Sequence, residues 1–325
     1  MRPHIEVKDL QVSIQSQGQT IQAVRNVSFT LYEGERLGIV GESGCGKTIL
    51  MKSLLQLLPS TATIDSGEIW YQENNLVTLT EKELQGIRGK EIGMIFQDPM
   101  TSLNPTLKIG YQIAEGLLRH FPLITKKEAE ARALELLCQV GISEPKLRMQ
   151  QYPHLLSGGI RQRAVIALAL ASKPSILIAD EPTTALDVTV QAQILDLLQQ
   201  LQQSSTLLIT HDLSIVASFC DRVIVMYAGQ IVEEATVSEL FANPQHPYTQ
   251  RLLQSIPRID GKGDKLHPIA GSPPDLSTPI QGCAFCSRCT EAMNICRTET
   301  PPLFDHSHPD NHKARCWLLD ARRKK

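Results

Sequence analysis

The stretch ERLGIVGESGCGKTILMKSLLQLL, residues 35–58, decides the fold. Its first six residues, ERLGIV, read as a buried strand, and its end, ILMKSLLQLL, has the apolar spacing of a helix. Between them GESGCGKT, residues 41–48, fits G-x-x-x-x-G-K-[ST], and strand, loop and helix in that order make a phosphate cradle. Gly41, Gly44 and Gly46 let backbone N–H groups turn inward, Glu42, Ser43 and Cys45 fill the remaining loop positions, and the helix N-terminus adds its positive dipole end. Lys47 is placed to reach the β and γ phosphates of a nucleotide, and the Thr48 hydroxyl to ligate Mg²⁺. Cys45 reads as a small residue that the turn tolerates; the alternative is a reactive thiol, its pKa lowered by the surrounding N–H groups and Lys47.

Outward from the loop, short apolar runs alternate with helical patterns, which predicts an α/β core. EIGMIF (91–96), SILIAD (175–180), TLLIT (206–210) and RVIVMY (222–227) read as further strands, several ending beside polar residues as a ligand-binding sheet edge requires. SILIAD places Asp180 to hold Mg²⁺, mostly through water, and the adjacent Glu181 to polarise the attacking water. Gln97, after EIGMIF, is placed to orient water and touch the metal; His211, after TLLIT, to contact the γ-phosphate. EVKDLQVSI (6–14) and NVSFTLY (26–32) alternate at period two and predict an antiparallel layer. Between about residues 99 and 158 the alternation gives way to two helical patterns, IGYQIAEGLLRHF and KKEAEARALELLCQVG, which predict a helical insert. After about residue 257 the chain dissolves into Gly, Pro and Asp. The sequence reading therefore divides the chain into a nucleotide-binding domain, 1–256, and a linker with a small cysteine-rich module, 257–325.

Composition narrows the function classes. With 32 Lys and Arg against 34 Asp and Glu, formal charge is −2, and nothing points to nucleic acid as partner. No run of about 18 apolar residues would span a membrane, and MRPHIEVKDL lacks the apolar core of a signal peptide. The reading is an intracellular protein, in which eight cysteines do not form a disulfide framework.

A second glycine-rich stretch, LSGGIRQR (156–163), feeds a long helix. Ser157, Gly158 and Gly159 offer a hydroxyl, bare N–H groups and a helix dipole to an anion. Since Gly41 to Thr48 already cradle one triphosphate, the simplest resolution is that Ser157 and its glycines close over a nucleotide held by another subunit. An ordinary capped helix would explain Ser157 but neither the two glycines nor the downstream TTALD.

The ordered set GESGCGKT, QDP, LSGGIRQR, ILIADEPTTALD and ITHD closely resembles the ATP-binding subunits of ABC transporters, over roughly residues 5–254. The resemblance implies the P-loop fold of the ABC ATPases, a catalytic role for Glu181, a cross-dimer linking role for Asp187, and coupling of nucleotide state to membrane subunits through Gln97. Where the family stacks an aromatic on adenine this chain has Ile14. QDPMTSLNPTLKIGYQI and NPQHPYTQRLLQSIP resemble one branch, the oligopeptide, dipeptide and nickel importers. That branch implies four tail cysteines, here Cys283, Cys289, Cys296 and Cys316, holding a [4Fe–4S] cluster; Cys286 is extra. Chemically the four thiolates suit a cluster or structural Zn²⁺, and spacing does not choose. The resemblance further implies a second ATPase subunit, a related paralogue; two membrane-spanning permeases; an extracytoplasmic binding protein; and a place on the cytoplasmic face of the inner membrane. Peptide is the first reading of the solute and nickel the second. A soluble ABC ATPase acting on DNA or ribosomes would usually carry a long coiled-coil insert, tandem ATPase halves or a basic face; here the insert is short and the charge balanced.

Overall fold

The computed structural model describes residues 2–183, 187–201, 205–255, 269–307 and 312–320, and these fall into two compact units, Met1–Val77 with Ile209–Lys325, and Thr78–Leu208. In the first unit the expected antiparallel layer is present. Strand Pro3–Ser16 lies between Gln19–Tyr32 and Ala62–Tyr71, with the short Asn74–Asn75 beyond the latter. Ile5, Val7, Leu10 and Val12 are buried along its core face, while bulges between Val7 and Leu10 and between Leu10 and Val12 interrupt strict alternation.

The same unit holds the strand that feeds the phosphate loop, Arg36–Val40, parallel to Arg222–Tyr227. Its residues 37–40 are buried, the continuous apolar run of a parallel strand covered on both faces. Gln230–Thr236 then pairs antiparallel with Arg222–Tyr227, and two tail strands follow, His312–Ala314 and Phe304–Ser307. The cysteine-bearing tail thus contributes strands to the nucleotide-loop sheet and packs in the same unit as Met1–Val77. Its register is locked by a buried polar network: Glu233 accepts His312 Nε2 at 2.7 Å and the backbone N–H groups of Gln245 and His246 at 2.6 and 2.9 Å.

The second unit carries the helical insert. Ile109–His120 and Lys126–Gln139 form where the 3.6-residue spacing predicted, the latter opened by a capping box between Thr125 and Glu128. Two parallel strands, Ile92–Ile95 and Ile176–Asp180, pair in this unit, with Ser205–Thr210 next to the latter. Ile176, Leu177, Ile178 and Ala179 are all fully buried; each Ile or Leu side chain so removed from water stabilises the fold by about 1.5–3 kcal/mol. One boundary departs from expectation. The helix after the phosphate loop runs Lys47–Leu54 rather than to residue 58, because Gln56 adopts a left-handed conformation (φ 49°) and cannot continue it. Residues 256–268, all but the first in the stretch read as a linker, lie outside the described residues, as do residues 184–186 of TTALD.

Candidate nucleotide site

The first unit presents the phosphate loop. Helix Lys47–Leu54 begins after Gly46, whose φ of 99° and whose place against Ala23 exclude any side chain: a Cβ there would stand 2.2 Å from the Ala23 carbonyl oxygen. Lys47 is only 6 % exposed, and its Nζ donates to the carbonyls of Gly41 at 2.7 Å and Glu42 at 3.0 Å, so a single cation is folded against the loop that carries it. Ser43 and Gly44 are exposed at the loop crest, and Thr48 is half-buried in the first helical turn. His211 follows strand Ser205–Thr210 and is exposed, next to Asp212, which caps helix Leu213–Phe219 through the Ser214 N–H at 2.8 Å. Ile14 is half-buried, opposite Ile21 and Ala62 in the antiparallel layer.

Cys45 fits the reading of a small residue that the turn tolerates and not that of a reactive thiol. Its Sγ lies 3.7 Å from Lys47 Nζ, yet burial pushes the thiol pKa up, outweighing the opposing pull of Lys47. It is a buried neutral thiol, not an activated one.

The second unit presents the carboxylates. Asp180, 3 % exposed, ends the buried strand Ile176–Asp180, and Glu181 follows in a left-handed conformation (φ 44°), turning its side chain away from the strand path. Glu181 Oε2 accepts a hydrogen bond from Gln97 Nε2 at 2.9 Å, bringing together two residues 84 positions apart that the sequence marked separately. Buried Gln162 donates to the Pro182 carbonyl, tying helix Gly158–Leu170 to the turn that follows Glu181. Asp187 caps helix Val188–Leu201, its Oδ1 accepting the Val190 N–H at 2.9 Å.

The glycine-rich start of helix Gly158–Leu170 has a notable property. Ser157 stands at the N-cap, exposed, but its side chain makes no capping hydrogen bond. A Cβ at Gly158 would meet nothing within 4 Å, and at Gly159 only Val190 Cγ1 at 3.7 Å, ordinary contact. Neither glycine has a positive φ. Nothing in the surrounding described residues therefore requires glycine at either position.

Sequence reading missed a cluster beneath the phosphate loop. The Glu42 N–H donates to the Tyr248 hydroxyl at 2.9 Å, and the Glu42 carboxylate receives a bidentate pair from Arg288 at 2.7 and 2.9 Å. Tyr227, Tyr248 and Phe285 pack against one another with ring centroids 4.6–5.4 Å apart. The only hint in the sequence is that Tyr248 lies in NPQHPYTQRLLQSIP, a stretch that resembles one importer branch.

In the tail, Cys283, Cys289 and Cys316 accept backbone hydrogen bonds from Phe285, Glu291 and Leu318, and the Met293 N–H lies 3.5 Å from Cys296 Sγ. Burial pushes Cys283 up to about 11 and Cys316 up to about 12. Among the described residues no group of three or more His, Cys, Asp or Glu side chains stands close enough to hold a metal ion.

Known proteins agree with this architecture. Residues 24–184 match the ABC transporter family, and residues 232–296 match the oligopeptide/dipeptide transporter C-terminal region. The dipeptide transport ATP-binding protein DppD of Bacillus subtilis (strain 168) is 52% identical over 326 residues, covering 99% of this chain and 96% of that protein. The oligopeptide transport ATP-binding protein OppD of the same strain is 53% identical over 320 residues, covering 97% and 88%. Among solved structures, the dimeric bacterial ABC transporter cassette MJ0796 gives a TM-score of 0.65 at 30% identity, covering 72% of this chain and 98% of that one. The chain belongs to the ABC transporter family, among the ATP-binding proteins of its oligopeptide/dipeptide branch. It is accordingly an ATPase of the transport-coupled kind, and no helix among its described residues is long and apolar enough to cross a membrane. The relatives' names favour peptide over nickel.

Proposed function

We propose that this chain energises the import of dipeptides or oligopeptides by sharing two ATP molecules with a second, related ATP-binding subunit. The observation that carries the reading is the start of helix Gly158–Leu170: two glycines that the local packing does not need, beside a serine that does not cap its helix. Bare N–H groups at a helix N-terminus recognise an anion, and the loop at residues 41–48 already supplies a cradle. Ser157, Gly158 and Gly159 are then for the γ-phosphate of the nucleotide on the other subunit, with Asp187 linking the two sites.

On its own nucleotide, the N–H groups of Gly41 to Thr48 bind the phosphates, and Lys47 turns its donors from the Gly41 and Glu42 carbonyls to the β and γ oxygens. Glu181 takes the proton of the attacking water, and the Gln97 amide, hydrogen-bonded to it, fixes the carboxylate in place. His211 contacts the γ-phosphate, and Ile14 gives adenine an apolar contact. Donors of the right kind for Mg²⁺ are present, namely the Thr48 hydroxyl, the Asp180 carboxylate and the Gln97 amide oxygen, which its bond to Glu181 leaves available. The ion, when bound, offsets phosphate charge.

In this reading two permease subunits sit above the ATPase pair at the cytoplasmic face of the inner membrane, Gln97 couples nucleotide state to them, and an extracytoplasmic binding protein selects the peptide. Cys283, Cys289, Cys296 and Cys316 hold a [4Fe–4S] cluster of structural role, with Zn²⁺ as the alternative. Support comes from the four cysteine sulfurs and the N–H group directed at each, a pattern that would favour their anionic form once a metal displaced the thiol protons. The spacing of the thiols as folded must tighten for it.

The test is uptake. The transporter reconstituted in vesicles should accumulate labelled peptide only with internal ATP, and anaerobically purified protein should be brown and contain iron. Nickel uptake without peptide uptake would overturn the substrate; colourless, iron-free protein with an ordered tail would overturn the cluster.

A further inference from the structure

Arg288 lies in the cysteine tail, 246 residues from the phosphate loop, yet its side chain, 3 % exposed, forms a bidentate pair with Glu42 in that loop. A guanidinium has five N–H donors in a fixed fork. Here the five contacts made are Nε to the Ala270 carbonyl, one terminal nitrogen to Glu42 Oε2 and the Tyr227 hydroxyl, and the other to Glu42 Oε1 and the Ile269 carbonyl. The cation also lies 5.8 Å from the centroids of both Tyr227 and Phe285. A group so fully committed has one orientation.

Glu42 is correspondingly pinned. Its N–H is held by Tyr248, its carbonyl accepts Lys47, and its carboxylate is held by Arg288. The charge arithmetic gives this pairing a purpose. A carboxylate on a loop built to receive a triphosphate repels its own ligand, and only a fixed cation beside it cancels that repulsion at short range. Lys47 cannot serve, since it is needed for the phosphates themselves.

We propose that Arg288 is a positioning residue for ATP: it neutralises Glu42 and fixes the start of the phosphate loop, so that the cysteine tail sets nucleotide affinity. The proposal rests on the loop at residues 41–48 holding ATP. Arg288 touches no reacting atom and acts through Glu42 alone. It stands in the turn Cys286–Arg288, immediately before Cys289, so the fold of the cysteine segment carries it.

The experiment is a double-mutant cycle in the full-length chain assembled in its transporter, with MgATP as the probe. Arg288→Ala should raise Kd and KM for MgATP by about 5- to 150-fold, the ordinary range for coupled sites, while kcat changes by no more than about twofold. Arg288→Lys, which keeps the charge but not the fork, should fall between wild type and alanine. In a Glu42→Ala background the effect of Arg288→Ala should largely vanish. Unchanged affinity in both Arg288 variants, equal losses with and without Glu42, or a loss confined to kcat would each overturn the proposal. If the alanine variant does not fold, Arg288→Lys with and without Glu42→Ala decides the matter. Wild-type protein that fails to bind MgATP would instead overturn the nucleotide reading itself.

Discussion

Replacing Gly158 with alanine should separate stability from activity, and the structure sets both magnitudes. A Cβ at this position meets nothing within 4 Å, and the residue lies at the start of helix Gly158–Leu170 with no positive φ. Alanine there costs no contact and reduces the freedom of the unfolded chain, a gain of up to about 1 kcal/mol. For 150–250 residues 1 kcal/mol raises Tm by about 2–4 °C, so in this longer chain the rise should not exceed that. Across the subunit boundary the same methyl would stand between backbone N–H groups and a phosphate. Loss of one hydrogen bond to a charged group costs about 1.5–3 kcal/mol, or about 10- to 150-fold in hydrolysis rate. Thermal unfolding of the isolated subunit and ATPase activity of the assembled transporter measure the two effects. A destabilised subunit would mean that the glycine serves local packing, and unchanged hydrolysis would mean that no ligand approaches it.

Other outcomes follow from the same geometry. Glu181→Gln should keep MgATP binding and lose about 10²–10⁴ in hydrolysis rate, read by single-turnover kinetics; near-normal turnover would remove Glu181 from its role as base. Burial pushes His246 down to about 4 from its ordinary 6.5, so it is neutral in the fold, its Nδ1 accepting the Tyr248 N–H at 3.0 Å. Because the unfolded chain takes up this proton first, the contribution of His246 is full above pH 6.5, falls between 6.5 and 4, and levels off below. Its size is about 3 kcal/mol, visible as a pH-dependent urea midpoint that flattens in His246→Gln; parallel pH profiles would contradict it. Cys45, with its thiol pKa pushed up by burial, should resist alkylation near neutral pH with or without nucleotide. Rapid labelling that ATP prevents would restore it as a reactive thiol.

The sequence revealed most where one chain segment does one job. GESGCGKT, SILIAD and the two helical runs of the insert are local patterns, and each formed where the sequence placed it. Gln97 and Glu181 were legible as candidates because each closes an apolar strand, although their hydrogen bond was not. Strand Ala62–Tyr71 was hidden because Gly67, with φ of 101° and a virtual Cβ 2.5 Å from Leu10 Cα, marks a bulge that breaks the alternation. The tail strands were hidden for another reason: three or four residues carry no period, and His312–Ala314 is a strand only because Gln230–Thr236 offers it an edge. Arg288 and Glu42 could not be paired from sequence. A long-range ion pair leaves no spacing signal, and an arginine between two cysteines reads as an ordinary solvated charge. The cysteine tail was read as a module apart, whereas its strands and Arg288 reach the sheet and loop of the first unit.

The shared site is tested most directly by mixing Glu181→Gln chain with its companion ATP-binding subunit and following association by sedimentation velocity. MgATP should drive the two into a stable one-to-one complex, and Ser157→Arg should abolish that complex while leaving MgATP binding to the single chain intact. A lone chain that hydrolyses ATP at full rate at great dilution, indifferent to Ser157→Arg, would contradict it.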